Sequence, residues 1–216
     1  MEPEDHADSE LYGRPGLLER WCWSGTKNMT TIIAISGSLR ATSFNTMLVN
    51  AAVAAAPAGT TVEVGSIKDI PLYDGDLEAA SGAPPAVIAL KERIVAADGL
   101  LLVSPEYNNG IPGVFKNAID WLSRPAADIP RVFAERPVGV IGATPGRGGT
   151  AMAQAGWLPV LRTLGTQLFT GGRLQVGGAG KVFDSSGALV DATVRGLLEA
   201  YMADFARFVA KQRSPR

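Results

Sequence analysis

A chain of 216 residues with a net charge of −1, 46% hydrophobic residues, 25 Gly and 14 Pro reads as one globular domain with many tight turns. No broad basic field invites nucleic acid or anionic lipid, and no apolar run reaches the roughly 18 residues of a membrane span. Cys22 and His6, the sole cysteine and histidine, both precede residue 29, so the rest of the chain lacks the groups for a disulfide, a Ser-His or Cys-His nucleophile, or a His-based zinc site.

Residues 1–28 open on the acidic MEPEDHADSE and continue without a period or the apolar core of a secretory signal. They are expected to be a disordered N-terminal extension, with residues 29–216 as the domain. From Thr31 the pattern alternates. The β-branched run 31–36 predicts a buried strand, 44–56 a helix and 61–67 a second strand. Residues 68–83, rich in Pro, Gly and Asp, predict a long loop. A helix over 84–97, opened by proline, leads to a third strand over 99–104. After a further loop come a helix over 114–123, a fourth strand over 136–143 and a helix over 150–164. A glycine-interrupted fifth strand over 166–176 and a long helix over 188–212 complete the chain. Such alternation implies a parallel sheet covered by helices on both faces.

Ligands of these folds sit beyond the carboxyl ends of the strands, so the loops after strands one, three and four are the candidates. Gly37–Asn45 leads into a helix N-terminus, where free N–H groups favour an anion. Ser38, Thr42, Ser43 and Asn45 add short donors there, and Arg40 adds a guanidinium suited to phosphate. Thr42 or Ser43 would equally serve as an ordinary helix cap. No GxxxxGK[ST] motif occurs. The Ser104–Gly113 loop presents the Tyr107 ring and the Asn108 amide on a backbone stiffened by Pro and Gly, an inventory for a planar heterocycle or for a stiff turn. In the third loop Gly146, Gly148 and Ala151 satisfy GxGxxA, but the motif is not in the first βαβ unit and Thr166–Gly171 supplies no acid, so a dinucleotide fingerprint is rejected. Close backbone approach to a ligand is the better reading.

The segments ISGSLRATSFN, SPEYNNGIPGVFKNAIDWLSRP and IGATPGRGG, with PLYDGDLE between the first two, resemble the NADPH-dependent FMN reductase family, which includes chromate and quinone reductases. The resemblance spans roughly residues 31–176. It implies a flavodoxin-like three-layer sandwich with a five-stranded parallel sheet in the order 2-1-3-4-5. It also implies an enzyme that uses FMN, with NADPH or NADH as donor, to reduce quinones or similar small acceptors by ping-pong hydride transfer. By position, Ser38, Arg40, Ser43 and Asn45 would hold the FMN phosphate. Pro105, Glu106, Tyr107 and Asn108 would line the isoalloxazine, and Thr144, Gly146, Gly148 and Gly149 its far edge. No side chain is needed as catalytic acid or base and no metal is expected, because the flavin carries the chemistry. A homodimer or homotetramer in the cytoplasm is expected. The apolar Val114, Phe115, Ile119, Trp121 and Leu122 of one helix are either an interface, with the PLYDGDLE loop over a neighbour's flavin, or a broad core-facing stripe. The rivals are a flavodoxin-type electron carrier and a non-enzymatic flavin-binding regulator. The near-neutral charge and Arg40 argue against the carrier, and turnover of NADPH separates the regulator.

Overall fold

The computed structural model describes residues 29–212. The expected extension over 1–28, with Cys22 and His6, lies outside these residues. Strands β1 (Thr30–Ser36), β2 (Thr60–Gly65), β3 (Gly99–Val103), β4 (Pro137–Ala143) and β5 (Gln167–Leu168) form a parallel sheet in the order β2-β1-β3-β4-β5. A further strand, β6 (Gln175–Val176), also pairs with β4.

The side-chain period of two divides the core. Ile32 and Ala34 of β1 and Leu101 and Val103 of β3 face α1 (Phe44–Ala54), which contributes Leu48, Val49 and Ala52. Across the sheet Ile33, Ile35, Leu100 and Leu102 face α3 (Pro85–Ala96) and α4 (Gly113–Leu122). Helix α6 (Ala151–Thr163) adds Trp157 and Leu161 on that side, and α8 (Ala192–Gln212) covers the first side with Leu198, Met202 and Phe205. All five residues of β3 are buried, as its unbroken apolar run requires of a central strand.

Several elements differ from expectation. The 68–83 loop contains a helix, α2 (Gly75–Ser81), started by Asp74, whose carboxylate accepts from Asp76 N at 2.8 Å and Leu77 N at 3.4 Å. It buries no residue, so no apolar stripe announces it. The single strand expected over 166–176 is two short ones, because the chain leaves the sheet at Phe169–Leu174. Gly171 permits that excursion: a Cβ there would lie 2.7 Å from the Phe169 ring. Two one-turn helices, α5 (Ile129–Val132) and α7 (Ala179–Val182), are too short to show a period in the sequence, and the last helix begins at Ala192, four residues after the expected start.

The apolar excess of α4 is absorbed within the chain. Phe115, Ile119, Trp121 and Leu122 are buried, and only Val114 is exposed. Pro71 O accepts from Trp121 Nε1 at 3.0 Å and Asn117 Nδ2 at 2.8 Å. Tyr73 packs edge-on against Trp121 and donates its N–H to Asn117 Oδ1. The 71–73 segment covers α4 at Asn117 and Trp121.

Candidate functional site

The carboxyl ends of β1, β3 and β4 lie side by side at the centre of the sheet, so their three following loops meet. Gly37 N donates to Val103 O at 2.9 Å, which starts the first loop beside β3. A Cβ on Gly37 would fall 2.2 Å from the buried Phe115 ring, so only glycine brings the loop this close to α4. Ser38 is nearly buried, and its Oγ accepts from Arg40 N at 3.3 Å. Ser43 caps α1 with an extended backbone and accepts from Asn45 N at 3.2 Å. No acidic residue occupies the first turn of α1, so the positive end of its dipole is not neutralised locally. Arg40 is exposed at this end, with no ion pair among the described residues.

Asn45 holds a different post from the other donors. It is buried, its Nδ2 donates to Ala143 O at 2.8 Å, and its Oδ1 accepts from Ala143 N at 2.9 Å. The amide thus clamps the start of α1 to the last residue of β4.

In the second loop Ser104 Oγ accepts from Trp157 Nε1 at 3.0 Å and donates to Pro105 O at 2.9 Å. Glu106 Oε2 accepts from Met152 N at 2.8 Å and Ala153 N at 3.0 Å, at the start of α6. Tyr107 and Gly110 exchange two backbone hydrogen bonds around Asn108 (φ 52°) and Asn109 (φ 58°). These are the angles of a type I′ hairpin, which asparagine tolerates. Tyr107 stands beside that turn, 46% exposed, with its hydroxyl 3.5 Å from Ser38 Oγ.

The third loop is anchored from behind. Thr144 N donates to Val176 O at 2.9 Å, Ala179 N to Thr144 O at 3.0 Å, and Gly178 N to Gly146 O at 3.0 Å. Gly149 has φ 67°, and a Cβ there would lie 2.7 Å from Gln175 O, so the fold itself requires that glycine. Gly146 and Gly148 differ. Neither has positive φ, and a Cβ would meet nothing nearer than Thr144 Oγ1 at 3.8 Å at Gly146 and nothing within 4 Å at Gly148. The backbone is bare there on the open side of the loop.

A cavity of about 50 Å3 lies where the loops converge. Of the residues expected from sequence, Ser38, Arg40, Ser43, Asn45, Pro105, Glu106, Tyr107 and Thr144 line it. Asn108, Gly146, Gly148 and Gly149 belong to the same loops but not to its wall. Phe44, Ala143 and Pro145 complete it. All three stood within the loops and helix start read from sequence, yet no chemical property marked them. The cavity is of a size for a small anionic group. Among the described residues no cluster of His, Cys, Asp or Glu could hold a metal ion, and no helix is long and apolar enough to cross a membrane.

Residues 30–181 match the family model described as NADPH-dependent FMN reductase. An NAD(P)H-dependent FMN reductase of Pseudomonas aeruginosa is 38% identical over 182 residues, spanning 84% of this chain and 96% of the relative. A 2-hydroxy-1,4-benzoquinone reductase of a Burkholderia species is 36% identical over 182 residues, spanning 84% of this chain and 97% of its own length. Among solved structures, the flavoenzyme NAD(P)H:acceptor oxidoreductase of Paracoccus denitrificans superposes with a TM-score of 0.76 at 31% identity, covering 85% of this chain and 98% of that one.

Proposed function

The chain belongs to the NADPH-dependent FMN reductase family, and from that premise we propose that it binds FMN in the three-loop cleft and uses NAD(P)H to reduce quinones or similar small acceptors. The observation that carries this reading is the pairing of a small anion chamber with a bare glycine ledge. The chamber, at the start of α1, is lined by Ser38, Arg40 and Ser43, a donor set for one phosphate group. The ledge at Gly146 and Gly148 keeps side chains away from a surface that internal packing does not fill. Both fit FMN.

When bound, FMN supplies the two-electron chemistry that no His or Cys of residues 29–216 could supply. The chain's own residues bind and orient. Arg40 and the α1 N-terminus attract the phosphate. Ser38 and Ser43 fix its distance from the helix. Pro105, Glu106, Tyr107 and Asn108 shape one side of the ring slot, and Thr144, Gly146, Gly148 and Gly149 the other. Asn45 contributes by holding the two ends of the chamber together. One open face would then serve donor and acceptor in turn. The same reading takes the protein to be a cytoplasmic homodimer or homotetramer, with its partners otherwise limited to small molecules. Support for assembly comes from the 71–77 segment, where Leu72 is 78% exposed beside the partly exposed Tyr73 and Leu77.

The direct test is to denature the purified protein and identify what it releases. FMN at one per chain, with NAD(P)H oxidation in the presence of a quinone, is expected. Release of FAD, or no flavin uptake from excess FMN, rejects the reading.

A further inference from the structure

Helix α6 lacks a cap of its own. Thr150 stands at its N-cap position with φ 71° and makes no side-chain cap bond; its hydroxyl accepts from Gln154 Nε2 at 3.0 Å instead. The first-turn N–H groups of Met152 and Ala153 have no acceptor within the helix. Both donate to one oxygen of Glu106, a residue 46 and 47 positions away. A carboxylate in that place replaces the missing cap and meets the positive end of the helix dipole. The same helix takes a second hold on the same loop through Trp157 Nε1 and Ser104 Oγ at 3.0 Å.

The position of Glu106 in the chain gives this cap its consequence. It stands between Pro105 and Tyr107, whereas α6 begins where the glycine loop ends. The carboxylate therefore ties the second loop to the helix that follows directly on the glycine loop. The sheet joins the two loops only through their roots. We propose that Glu106 is a positioning residue: by capping α6 it sets the separation of the Tyr107 wall from the Thr144–Gly149 wall, and so the fit of the FMN ring. This rests on the FMN reading above and adds a role within it. Glu106 also lines the cavity, but its Oε2 is committed to the helix, and the role proposed for that oxygen runs through the distance between the loops.

Glu106→Gln keeps a side-chain oxygen able to accept both N–H groups, and Glu106→Ala does not. The full-length variants, stripped of flavin, are compared with the parent by amide hydrogen exchange at Met152 and Ala153 and by titration with FMN. Glu106→Ala is expected to speed exchange at both amides and raise the FMN dissociation constant roughly tenfold or more. Glu106→Gln is expected to keep both amides protected and FMN affinity within roughly threefold of the parent. With FMN saturating, Glu106→Ala is expected to raise KM for NAD(P)H more than it lowers kcat. Faster exchange in Glu106→Ala with unchanged FMN affinity overturns the proposal, since the cap would then be structural only. Loss of FMN from Glu106→Gln with its amides still protected also overturns it, since the charge itself would then be read by the cofactor. If Glu106→Ala does not fold, Glu106→Asp, whose carboxylate is drawn back by one methylene, replaces it with the same expected and overturning results. A parent chain that takes up no FMN rejects the function itself, an outcome distinct from these.

Discussion

Single side chains in the cleft separate binding from folding. Arg40 is exposed and pairs with no carboxylate among the described residues, so the fold gains little from it. Arg40→Ala should leave thermal stability unchanged. It should raise the FMN dissociation constant roughly 10- to 150-fold, the equivalent of about 1.5–3 kcal/mol for one charge-assisted hydrogen bond. Fluorescence titration of the stripped protein measures this directly. Gly148 gives the complementary case. A methyl group there meets no protein atom within 4 Å, and its φ is not positive. Gly148→Ala should be neutral for the apoprotein, or stabilise it by up to about 1 kcal/mol by restricting the unfolded chain. The same methyl should intrude on the ring slot and weaken FMN roughly tenfold. Equal FMN affinity in Gly148→Ala and parent would take this ledge out of the site.

At the scale of elements, what was legible in the sequence follows from how locally each element is determined. The run TIIAIS and the all-apolar GLLLV declare central strands, and the structure places them there. The three candidate loops were legible because strand-to-helix connections at a switch in strand order are where such folds leave backbone donors free. The seven-residue α2 was not, because it rests on an Asp74 cap and no buried face. The split between β5 and β6 was hidden as well, since β-forming residues flank a glycine pair whose path depends on Phe169 packing. Nor could the sequence distinguish Asn45 and Glu106 from ordinary cavity-lining residues. Their partners, Ala143 and the start of α6, become neighbours only through the folded sheet. Gly37 shows the reverse dependence of a loop on an element. Gly37→Ala would place a methyl 2.2 Å from the edge of the Phe115 ring and push the first loop away from α4. A cost of about 1–3 kcal/mol from overpacking is expected, read as a lower midpoint of denaturant unfolding, together with weaker FMN binding.

For the molecule as a whole, the proposed function has nucleotide and acceptor use one face in turn. Initial rates with both substrates varied should give parallel double-reciprocal lines; lines that intersect would indicate that both are bound together. Light scattering at micromolar concentration should give the mass of at least two chains, as the exposed Leu72 and its neighbours suggest. Two ties described above have a further consequence for how this protein reaches its working form. The Asn45–Ala143 clamp joins residues 98 apart and the Glu106 cap residues 46 apart, and each needs β4 in place beside β3. Contacts of such sequence separation form late, after long loops have closed against chain entropy. A chain that has not yet emerged through α6 has neither tie in place, so FMN uptake during refolding is expected only after β4 and α6 have docked.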